Sequence, residues 1–269
     1  MNKEKILEND ISILIICEDD FENVYNMIQS LQSIASEFII VSLSERDGFS
    51  YGSDEVDITF LKSKNHSHLS TVYNKGILLC EKKWILKLNS NQYVDKQNKD
   101  RIKKAIVHGI ENDVYAFEAN KMIYVQDNWS CLDSLEVSFC KGYTKAIVKK
   151  DIVLFRNDDR IKYDYNMDDK IYYTIERESF SWLESNIVLH DWSLVVTKDF
   201  TMYLKTYEKR INENKDNPEN YYDMGRIYEI MGDYQKASNV YKLAYDNFKD
   251  EKSLLYYVLS SKNIKRKEE

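Results

Sequence analysis

The sequence predicts an α/β domain over residues 1–198, followed by a small all-α domain over residues 199–269. Three observations carry this prediction. The first half alternates between continuous or period-two apolar runs and stripes of period three to four. The end of the chain keeps only the helical period. One proline and seven glycines in 269 residues leave few breaks in either, against average usage of about 5% and 7%.

The elements follow in order. Ile11-Ser-Ile-Leu-Ile-Ile16 is a continuous β-branched run, suited to a strand buried on both faces. Phe21, Val24, Ile28 and Leu31 then mark one face of a helix. Phe38–Val41 reads as a second strand and Val56–Phe60 as a third, half-buried one. Leu69, Val72 and Ile77–Leu79 mark a helix, Trp84–Leu88 a strand, and Ile102, Ala105, Ile106 and Ile110 another helix. Strands and helices alternating in this way predict a sheet with right-handed crossovers. After residue 112 short β-prone pieces take over: Val114–Phe117, Met122–Val125, Ala146–Val148, Ile152–Phe155, Ile161–Tyr163 and Ile187–His190. From about Phe200 the pattern turns helical, with Tyr203, Tyr207 and Ile211 as the first stripe and two more helices after it.

Composition excludes several classes. The closest glycine pair in the first half is Gly48 and Gly52, so no glycine-rich phosphate loop is present. A formal charge of −7 argues against broad nucleic-acid binding. No apolar run reaches membrane-spanning length, and the start of the chain has no apolar core of a signal peptide. Cys17, Cys80, Cys131 and Cys140 form no CxxC pair, which fits reduced thiols and a cytoplasmic location. No GxSxG occurs, and no cysteine has a nucleophile's context. Most of the 21 tyrosines read as packing residues with a polar tip.

The C-terminal helices carry a signature. Tyr221, Met224, Gly225 and Tyr228, a turn at Gly232-Asp-Tyr234, then Ala237, Tyr241 and Ala244 match the tetratricopeptide pattern. Small Gly225 and Ala237 let antiparallel helices approach while aromatic side chains fill the groove. Asn217-Pro218 supplies an N-cap and a proline at the first helical position. A partner-binding concave surface and a packing buttress both stay open as readings of this domain.

The first strand, the helix with Val72-Tyr-Asn-Lys-Gly76, and Trp84-Ile-Leu-Lys-Leu-Asn-Ser-Asn91 seven residues later together resemble family 2 glycosyltransferases. That resemblance covers roughly residues 10–195 and implies a GT-A, nucleotide-diphospho-sugar transferase-like fold. With the tetratricopeptide-like tail it is similar to bacterial peptide and protein glycosyltransferases. It implies transfer of a sugar from a nucleotide sugar, of UDP type, to a peptide, protein or other cytosolic acceptor. Asn74 falls in the helix motif. At the end of the fourth strand, where the family places Asp-x-Asp to hold Mn2+ or Mg2+, this chain has Asn89-Ser90-Asn91. Amide oxygens bring no charge, so any metal is held weakly. At the second strand Ser42 and Leu43 replace leading acids, while Asp47-Gly48 survives; Glu18, Asp19 and Asp20 stand as nucleotide-edge acceptors. The resemblance places the catalytic base at Asp169 beside Asp168, with Asp164 as a nearby substitute.

Three further groups have two readings each. His66 and His68 form an HxH pair or an exposed helix start. His190, ahead of Asp191, reaches a diphosphate or is a satisfied core histidine. Lys87 shares a strand face with Asn89 and replaces the metal's charge against a diphosphate, or forms a salt bridge to Glu18–Asp20. The two function hypotheses are an active transferase with little or no metal dependence and a catalytically inactive relative acting as a binding or accessory subunit.

Overall fold

Strand β1 (Ile11–Cys17) is buried at all seven residues. It runs parallel between β2 (Glu37–Ser42) and β4 (Trp84–Asn89), with Leu14 opposite Ile39 on one side and Lys87 on the other. Its two faces serve two cores, as the period of two requires. Ile11, Ile13 and Ile15 join Val24, Ile28 and Leu31 of α1 (Phe21–Leu31). Leu14 and Ile16 join Val72, Tyr73 and Ile77 of α2 (Leu69–Ile77). A strand with no wet face has to be apolar wherever a polar side chain finds no partner, which explains a run broken only by Ser12, whose hydroxyl is hydrogen-bonded.

The computed structural model describes residues 10–18, 20–44, 49, 51–52, 55–63, 69–125, 135–136, 145–164, 171–196, 200–213 and 215–268. Its strands order as β3-β2-β1-β4-β8-β6-β9-β5, with β3 (Asp57–Lys62) at one edge. The others are β5 (Gln92–Tyr93), β6 (Ala116–Val125), β7 (Leu135–Glu136), β8 (Lys145–Arg156) and β9 (Trp182–Asp191). β1 to β4 pair in parallel, whereas β8 runs antiparallel to β4, Ile85 facing Phe155. Between β5 and β6 lies α3 (Lys96–Asn112), whose Ile102 and Ile106 enter the α1-side core.

Several expectations are corrected. Val114 and Tyr115 precede the strand, while Ala116–Phe117 and Met122–Val125 belong to one strand, β6, with a register shift between Glu118 and Asn120. Ala146–Val148 and Ile152–Phe155 likewise merge into β8, bridged by polar Lys149-Lys150-Asp151. Ile161–Tyr163 is not a strand. The Tyr163 N–H donates to Asn74 Oδ1 at 2.8 Å and its carbonyl accepts from Asn74 Nδ2 at 2.9 Å, so one side-chain amide replaces a ladder. Helix α4 (Tyr172–Arg177) was not anticipated. Gly76 lets α2 lie on β1: a Cβ there would stand 2.4 Å from a Leu14 methyl.

Two compact units are present, Met1–Ile123 with Val148–Trp192, and Tyr124–Ile147 with Ser193–Glu269. In the second, α5 (Ser193–Val196) precedes α6 (Thr201–Glu213), α7 (Pro218–Ile230), α8 (Tyr234–Phe248) and α9 (Glu251–Glu268). Asn217 caps α7 by accepting from the Glu219 N–H at 3.0 Å. Tyr221, Tyr222, Tyr241, Ala237 and Ala244 form the core between these helices. Its tightest approach is at Gly225, where a Cβ would lie 2.2 Å from the Tyr241 ring.

Gly225→Ala therefore loses about 1–3 kcal/mol to overpacking, more than the gain of about 1 in helix propensity. Thermal unfolding should show a lower Tm, restored in part by adding Tyr241→Leu. A Gly225→Ala protein as stable as wild type would contradict this packing.

Candidate active site

From β1 the chain steps outward to β2 and β3, then returns to β4 on the other side of β1. In an open α/β sheet the crevice outside the strands' carboxyl ends at such a reversal is the usual place for a ligand. Glu18 leaves β1 there and Asp20 occupies the N-cap position of α1 without a side-chain cap bond. Asn89 ends β4, and the turn Ser90-Asn91 follows. The Ser90 N–H donates to the Ile16 carbonyl at 2.9 Å, which ties the turn to β1. Asn23 Nδ2 donates to Asp20 Oδ2 and to Asn91 Oδ1, each at a long 3.4 Å. Asp20 Oδ1 and Asn89 Oδ1 are buried and have no hydrogen-bond partner among the described residues. Each such acceptor costs about 1–3 kcal/mol while unpaired.

Gln92 stiffens this turn from below. Its Oε1 accepts from the Asn89 N–H at 3.0 Å and its Nε2 donates to Asp191 Oδ2 at 2.8 Å. The Trp192 N–H donates to the Asn91 carbonyl at 3.0 Å, which closes the turn onto β9. The amide side chains of Asn89 and Asn91 are thereby presented by a fixed backbone.

The remaining expected site residues lie as follows. Glu18 is exposed. Asp19, Asp47, Asp168 and Asp169 lie outside the described residues, as do Gly48, His66 and His68. Asn74 spends its amide on the Tyr163 backbone. His190 is buried, with Nε2 at 3.3 Å from Asp95 Oδ2. Asp95 in turn caps α3, accepting from the Asn98 N–H at 2.7 Å. Burial works to raise the Asp95 carboxyl, but the hydrogen bonds from Asn98 and His190 outweigh it and hold the group below its ordinary value.

Among the described residues Lys87 pairs with neither Glu18 nor Asp20, the salt bridge considered for it. Its partner is Asp151 of β8, at 3.7 Å, and Asp151 also holds Lys121 of β6 at 3.2 Å. The Lys87 ammonium lies over the Tyr73 and Tyr163 rings, at 4.8 and 5.7 Å from their centroids. Lys121 and Asp151 had no signal in the sequence beyond lying next to β-prone segments. Asp191 and Gln92 were visible as residues, but their bond spans ninety-nine positions.

The described residues do not fit a resident divalent cation. Asn89 and Asn91 offer neutral oxygens, the Asn91 oxygen already accepts from Asn23, and hard cations favour carboxylates. No group of three His, Cys, Asp or Glu side chains able to hold a metal occurs among the described residues. Among them, too, no helix is long and apolar enough to cross a membrane.

No protein-family model and no curated protein matches the chain. Solved structures do resemble it. The mannosyltransferase PcManGT from Pyrobaculum calidifontis, in complex with GDP-Man and Mn2+, is 8% identical over 95% of this chain and 85% of its own, with TM-score 0.48. S. aureus TarS 1–349 is 12% identical over 95% and 80%, with TM-score 0.44. A CMP:2-keto-3-deoxy-manno-octonic acid synthetase complexed with CTP is 7% identical over 67% and 90%, with TM-score 0.42. Likeness at this level says nothing of substrate or reaction.

The Asp95 cap has a pH signature. A carboxyl held below its ordinary value contributes stability above that value and loses it as pH falls through the lowered one. Asp95→Ala should therefore cost about 1 kcal/mol at neutral pH. The gap should close below about pH 4. Urea melts of both proteins across pH check this, and a gap independent of pH would speak against the ionised cap.

Proposed function

We propose that this protein transfers a sugar from a nucleotide-sugar donor, of UDP type, to a peptide, protein or other acceptor. The observation that supports it best is the meeting of Asp20, Asn89 and Asn91 at the reversal of strand order, with two buried acceptor oxygens unpaired. The sequence resemblance to family 2 glycosyltransferases of GT-A fold agrees with that position. In this reading Glu18, Asp19, Asp20 and Asp47 contact the nucleoside. Asn89 and Asn91 lie along the diphosphate, with Lys87 beneath them and Asn74 and His190 supporting the site.

Asp169, with Asp168 beside it, removes the proton of the acceptor as its nucleophilic atom attacks the sugar's anomeric carbon. The bond from that carbon to the diphosphate breaks, and the nucleoside diphosphate leaves. Since Asn89 and Asn91 supply no negative charge, donor binding does not depend on a metal in the family's manner. Helices α7 and α8, whose residues match the tetratricopeptide pattern, serve the acceptor. A second reading, a non-catalytic relative that binds a donor or partner, is favoured by those same amides in place of acids.

Calorimetric titration with a panel of nucleotide sugars tests the first reading. Wild type should bind a donor equally well in EDTA and in Mn2+. Asn89→Asp with Asn91→Asp should bind it better with Mn2+ than without. Absence of binding to every donor by wild type would overturn the proposal. Asp169→Asn should keep donor affinity and lose donor hydrolysis and transfer by about a hundredfold or more. If wild type binds a donor yet neither hydrolyses nor transfers it, the second reading holds.

A further inference from the structure

On the α2-facing side of the sheet a buried lysine, Lys87, meets two half-buried charges, Lys121 and Asp151. Lys87 is 3% exposed. Its salt-bridge partner among the described residues, Asp151, is shared with Lys121 and lies nearer to it, 3.2 Å against 3.7 Å. The consequences for the two ammoniums are opposite. Burial lowers Lys87 below its ordinary value, and Asp151 only partly opposes that. Burial acts on Lys121 too, but Asp151 and then Asp191 overcome it and hold the group above its ordinary value. Asp191 is the other carboxylate near both lysines, and one of its oxygens accepts from Gln92. Asp151 is thus chiefly the partner of Lys121, and Lys87 is the cation left over.

A buried cation with half a partner is costly, and fold stability alone does not explain its retention. A second observation stands beside it. Tyr163 is 4% exposed and its hydroxyl has no hydrogen-bond partner among the described residues. That hydroxyl feels Asp151, whose charge adds to burial in raising it well above its ordinary value. The Tyr163 ring lies 4.6 Å from Tyr73, so the same two rings flank Lys87. Lys87 and Asn89 project from one face of β4, about 7 Å apart along the strand. The group therefore lies just beneath the crevice of the candidate active site.

We propose that Lys87, Lys121 and the Tyr163 hydroxyl form an anion subsite for the diphosphate of a nucleotide ligand, doing electrostatically what a divalent cation would do. The identity of the ligand rests on the function proposed above. The subsite itself rests on the shared carboxylate and the unpaired hydroxyl. An arriving diphosphate gives Lys87 the counter-charge that Asp151 withholds and accepts from the Tyr163 hydroxyl. Asp151 keeps Lys121 in place.

Lys87→Met distinguishes this role from a structural one, because it removes the cation farther from Asp151 and leaves the closer Lys121–Asp151 pair in place. The variant should melt no lower than wild type. In EDTA its affinity for nucleoside diphosphates should fall about tenfold to a hundredfold, with affinity for the bare nucleosides unchanged. Tyr163→Phe removes only the unpaired hydroxyl and should lower diphosphate affinity about threefold to tenfold. Inorganic pyrophosphate is titrated in parallel, and both variants should weaken it. If both variants bind nucleoside diphosphates and pyrophosphate as wild type does, the subsite is overturned while the transferase reading stands. If wild type binds pyrophosphate through Lys87 but no nucleotide, the subsite stands and the transferase reading falls. If wild type binds neither, both fall.

Discussion

The first unit depends on the burial of β1 on both faces. Parallel neighbours take its two edges, and α1 and α2 cover its two sides. Each residue of the strand therefore faces close packing, which at Gly76 leaves no room for a Cβ above Leu14. A strand held in this way fixes the height at which its neighbours end. The loops after β1 and β4 must then emerge side by side, and their polar residues meet whether or not they bond one another.

Buried polar groups occur at both ends of this sheet. At the amino end the buried Ser12 hydroxyl donates to Glu37, which also accepts from the Glu81 N–H at 3.0 Å. The Lys82 N–H closes the set by donating to Ser12 Oγ at 3.1 Å. These bonds hold the amino end together, although Asp10 Oδ2, just before β1, is buried there without a partner among the described residues. Toward the carboxyl end Asp20, Asn89 and Tyr163 each keep a buried polar atom without a partner, and two lysines share one carboxylate. A fold under selection for stability alone has no use for that arrangement.

The second unit is held by aromatic side chains against small ones. The Tyr241 ring fits against α7 because position 225 has no side chain, and Tyr221 meets Phe248 edge-on with centroids 5.6 Å apart. The Tyr222 hydroxyl donates to Asp250 at 2.8 Å, so a core tyrosine also fastens the start of α9. Many of the tyrosines counted in the composition are accounted for here, as packing bodies with a polar tip.

Local periodicity by itself determined the elements. The run Ile11–Ile16, the stripe Phe21–Leu31 and the cap Asn217-Pro218 are legible because the forces that shape them act within a few residues. It also determined that Asn89 and Asn91 follow a buried strand, and that these positions lack carboxylates. Where the outcome depended on distant partners, the sequence was silent or misleading. Ile161–Tyr163 has β-prone letters, yet Asn74, eighty-nine positions away from Tyr163, takes its backbone bonds. Polar Lys149–Asp151 broke the apparent strand in two, yet β8 runs through it because Asp151 is neutralised by lysines from β4 and β6. Lys87 was visible as a charge in a buried strand, but its partner was not. Coulomb interactions and hydrogen bonds depend on distance in space, and only the tertiary structure brings Lys87, Lys121, Asp151 and Tyr163 within reach of one another.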